Sequence, residues 1–271
     1  ASTYDERGQG EFGPHAVLAA AVSQAVTSTL TYHSEVDLDL VAVGSYAYLN
    51  DEVVALTALN TSAKTLTVSR GVLDSVPVAH AAGSRLWFAD GFQGVDPTEY
   101  AVGETINARL LTVTGKGTLA LASAPTDSLT MGRRQNRPYP PGNLKINGVA
   151  YPSVVQGDLA VTWAHRDRLS QTASLIAQSA GNIGPESGVS YTLRIYGESG
   201  SLRRTYSGLT GTSQTYTLAQ DAADSGLGRP NAQLRLELEA SRAGVTSAQK
   251  HSVSFERAGY GLRYDQYYGG I

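Results

Sequence analysis

Cysteine is missing altogether from the 271 residues. That excludes disulfides, thiolate zinc sites and cysteine nucleophiles, and leaves the compartment open. No run of about 18 apolar residues occurs, so no segment reads as a membrane-spanning helix. Charged residues are scarce at 17%, which disfavours long solvated helices. The formal net charge of −3 offers no basic surface, so specific nucleic-acid binding is not expected. Methionine occurs once, at Met131, and the chain opens on Ala1 without a positively charged start and apolar core. The sequence therefore reads as the ordered end of a longer protein.

Catalytic signatures are equally scarce. There is no G-x-S-x-G elbow and no H-x-x-x-H pair. Lys116 lies between glycines, but Leu110 stands where the first glycine of a phosphate-binding loop is needed. Gly8, Gly10 and Gly13 match G-x-G-x-x-G, yet ASTYDER precedes them instead of a buried strand. His165-Arg166-Asp167 has the form of a kinase catalytic-loop triplet, but Thr172 replaces the metal-binding Asn. Glu35, Asp37 and Asp39 could hold a hard cation; as alternate residues of one strand they would simply meet water. Asp158 and Asp167 are single carboxylates, and glycoside hydrolysis needs a pair. The expectation is no enzyme, no catalytic residue, no cofactor and no metal.

What is present is glycine, 29 residues of it, and short alternating runs, which together favour turns and strands. Residues 1–33 read as a polar linker followed by a short helix. Pro14 suits a helix start, and Val17, Leu18, Val22 and Val26 would share one stripe. Residues 34–136 read as a small antiparallel β-barrel or sandwich. Its strands are expected at Glu35–Leu40, Tyr46–Leu49, Val53–Leu59, Thr65–Arg70 and Arg85–Phe88, with a hairpin of Ile106–Val113 and Thr118–Ala122 across Gly115–Gly117. Pro138, Pro140 and Pro141 make residues 137–142 a stiff hinge.

Residues 143–257 repeat the style in another order. Strands are expected at Asn143–Ile146, Leu159–His165, Ser190–Tyr196, Leu202–Tyr206, Thr215–Leu218, Gln233–Ala240 and Ser252–Glu256, the number of an immunoglobulin-like sandwich, with Trp163 as its core aromatic. Leu169–Gly188 is a long insertion, a helix being one reading of its first part. Residues 258–271 are a Gly/Tyr-rich tail that cannot build a core, with Tyr260, Tyr264, Tyr267 and Tyr268 available to dock on a neighbour. Arg133, Arg134 and Arg137 form a basic cluster beside the hinge, either solvated or a contact to another subunit.

The segments RPYPPGNLKING, VTWAHRDR, YTLRIYGESGSLRRTY and ASRAGVTS, with DEVVALTAL and LTVSRGVLDSVPVAHAAGSRLWF upstream and GLRYDQYYGG at the end, fall in the order found in a known group. They resemble the C-terminal region of tail hub or tail-tip proteins of long-tailed bacteriophages, related to gene transfer agent hubs and more distantly to the lambda host-specificity protein. The second half also resembles a fibronectin type III module, although Leu234 and Leu236 stand where its corner tyrosine is expected. The resemblance implies an all-β structural component of a virion, at the tail tip or baseplate hub. It implies other tail proteins as partners, a homotrimer, and a part in assembly, host attachment and genome delivery. It carries over no catalytic residue. The alternatives are a module binding a host cell-surface receptor or glycan, and an ancillary domain of a carbohydrate-active enzyme.

Overall fold

The computed structural model describes residues 4–24, 28–92, 94, 96–172 and 175–258. The chain is all-β and divides into two compact units. One comprises the described parts of Gly10–Gln93 and Pro138–Ile271; the other those of Ala1–Gln9 and Gly94–Arg137.

In the first unit, six strands close into a barrel: β1 (His15–Leu18), β2 (Thr29–Val36), β3 (Tyr46–Leu49), β4 (Glu52–Asn60), β5 (Thr65–Ser69) and β6 (Arg85–Phe88). Their order round the barrel is β1-β2-β5-β4-β3-β6. Ala16, Leu18, Leu30, Leu49, Leu66 and Leu86 fill it. Closure leaves no unpaired edge, which is how so small a sheet manages its free N–H and C=O groups.

Two expectations fail at the start of this barrel. The helix expected after Pro14 is the strand β1, paired with β2 on one side and β6 on the other. Ala16 and Leu18 point in while His15 and Val17 are half-buried, a period of two, and Val22 bridges to His80. Two ladders of backbone hydrogen bonds outweigh the helix preference of an alanine run. The strand expected at Glu35–Leu40 stops at Val36. Asp37 adopts φ 52° and Leu38–Leu40 turn as a 3-10 helix that buries Leu38. The acids therefore line no common face, and Glu35 pairs with Lys64 at 2.5 Å.

The same unit continues as a sandwich. One sheet holds β11 (Gly142–Ile146), β13 (Leu159–Ala164) and β16 (Ser213–Tyr216). The other runs β12 (Val154–Gln156), β19 (His251–Ala258), β17 (Gln233–Arg242), β14 (Val189–Tyr196) and β15 (Leu202–Leu209), with β18 (Val245–Thr246) paired beside β17. Leu193, Ile195, Leu236, Leu238, Val161 and Tyr216 are completely buried between them. Trp163 meets Tyr191 edge-on at 5.6 Å, as a core aromatic should. Every sandwich strand expected from the sequence is present. The parallel strand β12 and the helix α1 (Leu218–Ser225) were not expected. Leu218 opens that helix instead of ending a strand, because Thr217 and Gln220 form a reciprocal capping box.

Helix α1 takes over the work of a corner tyrosine. Its Asp221, fully buried, accepts from Arg257 Nε on β19 at 2.6 Å and from Asn231 Nδ2 at 2.6 Å. That ties the crossover before β17 to the last strand, while Leu234 packs in the core.

In the second unit, β7 (Thr105–Ala108) pairs with β10 (Asp127–Thr130), and β8 (Val113–Thr114) with β9 (Gly117–Thr118). The expected hairpin across Gly115–Gly117 is real but only two residues deep, since Ile106 pairs with Leu129 instead. Arg7 bonds Thr98 and Arg109 lies 4.9 Å over the Tyr4 ring, which holds Tyr4 and Arg7 in this unit.

The strand assignment of β1 has a direct consequence. Leu18→Ala should cost about 2–5 kcal/mol in urea unfolding, whereas Val17→Thr should stay within about 0.5 kcal/mol. Equal losses would indicate that the two share one buried helical stripe.

Candidate functional site

The densest polar chemistry lies where barrel and sandwich join within the first unit. It begins with Glu52 at the start of β4, a carboxylate with no exposure at all. Arg70, just after β5, binds it bidentately at 2.6 and 2.7 Å. The backbone N–H groups of Gly71 and Val78 add bonds at 2.9 and 3.1 Å. His80 Nε2 donates at 2.8 Å, and its Nδ1 takes the Asn50 amide at 3.1 Å, which sets the tautomer. Burial alone would raise the Glu52 pKa; the His80 and Arg70 hydrogen bonds and the Arg70 charge outweigh it, and the net shift is downward.

Across the join, glutamines do the bonding. Gln249 donates to Asp51 O at 2.5 Å and accepts from Val76 N at 2.9 Å. Gln24 donates to Ser252 O at 3.1 Å, and Gln178 N donates to Arg70 O at 3.0 Å. Val53, Ala55 and Val72 cover the apolar part, with Leu175 against them. Gly71 is required here: its φ is +57°, and a Cβ would lie 2.6 Å from Pro77 Cδ and 3.0 Å from Gln178 Cβ.

The proline segment is part of this join, not a spacer in water. Pro138, Pro140, Pro141 and Gly142 are buried. Pro141 O accepts from both Gln178 Nε2 and His251 Nε2, each at 2.7 Å. The expected hinge is therefore a strap packed between two lobes.

The HRDR motif has a structural role. The Arg166 guanidinium is buried and gathers five backbone carbonyls: His165 and Gly181 on Nη1, and Ala177, Gln178 and Ala180 on Nη2, at 2.8–3.3 Å. A Cβ on Gly142 would sit 2.0 Å from its Cζ, so only glycine fits beneath it. Asp167 accepts from Leu169 N and Ser170 Oγ in a local turn, and Glu186 meets Arg168 at 3.1 Å and Arg242 at 3.3 Å. The insertion after Arg168 is thus wrapped around one cation and holds no helix among its described residues.

Of the residues singled out for contact, Arg133 and Arg134 are exposed at the short 3-10 turn after β10, and Arg137 donates to Gly132 O at 3.2 Å. All three belong to the second unit, so none takes part in the join. Tyr260, Tyr264, Tyr267 and Tyr268 lie outside the described residues. Among the described residues, no cluster of three or more His, Asp or Glu could hold a metal ion, and no helix is long and apolar enough to cross a membrane. An open groove between Val154, Gly197 and Gln233 carries Glu198 on its rim, already bonded by Arg229 and Ala232 N.

Sequence reasoning missed Glu52, Arg70, His80, Gln178 and His251. A signal existed for the last. In HSVSFER, His251 and Arg257 share the period of Val253 and Phe255, so both belong to the buried face.

No known protein family and no curated protein matches the chain. Among solved structures, the FN1-FN3 domains of chicken CNTN1 align over 92% of this chain and 66% of theirs, at 10% identity and a TM-score of 0.26. The BSP domain of a biofilm-associated protein aligns over 91% and 30%, at 11% identity and a TM-score of 0.21. The chain spans less than two thirds of either. The strand order itself decides the fold. Its first, second and fifth main strands (β11, β13, β16) face the third, fourth, sixth and seventh (β14, β15, β17, β19). Residues 142–258 form a fibronectin type III-like sandwich.

Glu52→Gln removes the charge that compensates Arg70 in a buried site. The variant should lose about 3–5 kcal/mol in urea unfolding at pH 7. The sign follows from the lowered pKa: the contribution is complete above the ordinary carboxylate range and fades as pH falls through the folded value. The deficit of the variant should therefore shrink below pH 4, measured by repeating the unfolding in acid.

Proposed function

We propose that this chain is a structural part of a bacteriophage tail tip or baseplate hub, working through surfaces and not through a reaction. The sequence segments quoted above supply the phage reading. The observation that supports work by surfaces is the second unit. Ala124 is its one buried residue among the described residues, while Leu110, Val113 and Leu129 are 65%, 75% and 63% exposed. Val102, Leu111 and Leu121 are exposed as well. Water-facing apolar groups at this density mark a surface meant to be covered by protein.

Between Thr105 and Thr130 only Arg109, Lys116 and Asp127 carry charge, so self-association meets little electrostatic opposition. Three copies of the chain meeting through this unit is the arrangement we favour, with neighbouring tail proteins and the Arg133, Arg134 and Arg137 cluster at its margin.

A second reading, host glycan binding, is favoured by one feature of the barrel. His15, Trp87 and Tyr48 are paired across β1, β6 and β3, and their side chains face outward in one row beside Arg85. A glycan array probed with the full chain and with Trp87→Ala tests that reading; equal signals from the two remove it.

The assembly reading is checked by light scattering of the full chain. Wild type should run as a trimer at micromolar concentration, and Leu110→Ser, Val113→Ser and Leu129→Ser combined should shift it to monomer with both lobes folded. A monomeric wild type, or a triple variant that stays trimeric, counts against it.

A further inference from the structure

His251 opens β19 at the place where the sandwich, the proline strap and the insertion meet. Its ring is completely buried. Nε2 lies 2.7 Å from Pro141 O, and Nδ1 lies 3.0 Å from the Tyr151 hydroxyl. A carbonyl only accepts, so Nε2 carries the proton and Nδ1 accepts from Tyr151. The Gln178 amide, 2.8 Å from Nε2, donates to the same Pro141 carbonyl. Gln178 then takes Asn143 N–H on its Oε1 at 3.0 Å and reaches the barrel through Arg70 O. One chain of bonds thus runs from β19 through the strap and the insertion to β5's end.

This site suits a neutral ring. A second proton on Nδ1 turns the Tyr151 bond round, the hydroxyl then accepting, and leaves a positive charge with no counter-charge in a completely buried place. The charged groups around the ring do not help. Arg166, just after β13, is a cation that donates to the carbonyl of the same Gln178. Beyond Tyr151, Glu52 is already committed to Arg70 and His80. Every polar partner of the ring is a carbonyl, an amide or a hydroxyl. Burial, reinforced by the Arg166 charge, pushes the imidazole down from 6.5 to about 4, although the Pro141 bond acts the other way.

We propose that His251 is an acid-released latch of the join between barrel and sandwich: neutral, it closes the join, and protonated, it frees the sandwich to turn on the strap. The proposal is independent of the tail-tip reading. Linkage sets its size and sign. Once open, the ring titrates at its ordinary value, while the closed form resists protonation down to about 4. The ratio of open to closed therefore rises about tenfold per pH unit on going below about 6.5, and roughly 300-fold in all before levelling near 4.

The absence of cysteine makes the test direct. Ala63→Cys on the barrel and Ser199→Cys on the sandwich, both exposed, carry a single dye pair on the full chain. Single-molecule energy transfer from pH 8 to pH 4, with far-UV circular dichroism alongside, should show an open population growing tenfold per pH unit while strand content persists. His251→Gln and His251→Asn, which cannot gain a proton, should stay closed. The wild-type ring, followed by NMR, should titrate near 4 where the join is closed. Opening of both variants at the wild-type pH, an unchanged wild-type distance down to pH 4, or a closed-state ring titrating near 6.5 would each overturn the latch. Loss of strand content together with opening would overturn it as well. If neither variant folds, the wild-type slope and the ring titration still decide.

Discussion

A carboxylate closed off from solvent has to find its hydrogen bonds in the protein, and Glu52 organises much of the first unit by finding its own. It collects donors from the end of β5, from the segment after it and from His80. Those segments have no regular structure, so the carboxylate supplies the fixed point that a strand ladder supplies elsewhere. Removing a charge of this kind costs far more than its pairing gained, because the partner is left stranded. The neighbouring join inherits the order so created. Arg70, positioned by Glu52, presents its carbonyl to Gln178, and Gly71 can approach Gln178 because it has no side chain.

Two kinds of cation handling sit side by side. Arg70 has a formal counter-charge; Arg166 has only carbonyl dipoles. A guanidinium can be satisfied either way because its planar fork spreads donors widely, which an ammonium cannot do. The same logic explains why glutamines dominate the join. Each amide both donates and accepts, so it can bond backbone on two lobes without burying a charge.

The sandwich was legible because its strands obey the plainest rule, alternation with one face dry. Leu234, Leu236 and Leu238, or Tyr191, Leu193 and Ile195, announce themselves in order. The barrel was less legible where closure overrode local preference. Nothing in HAVLAAAV says that β2 and β6 wait on either side of it. Asp37 is harder still, since a left-handed turn in mid-alternation is decided by burying Leu38. The join was almost silent. Its residues are scattered along the chain, and a polar side chain reads the same whether it meets water or a partner lobe. His251 was the exception, betrayed by its period, and its neighbour in kind, Arg257, buries itself by the same register.

Arg166 and Gly142 carry one more consequence, for anyone wishing to reshape this molecule. Loops at the ends of such sandwiches are the natural places to graft new sequence. Here the segment from Leu169 to Gly188 is poor ground for it, since its path is dictated by carbonyls converging on a single guanidinium. The turns at Gly200 and Gly244 are better ground. Each closes a hairpin, and a side chain at either glycine would meet open space, the positive φ being the one demand. Ground for display is thus found at both ends of the sandwich, because Gly200 follows Tyr196 while Gly244 follows Arg242, which pairs with Val189 at the insertion's end.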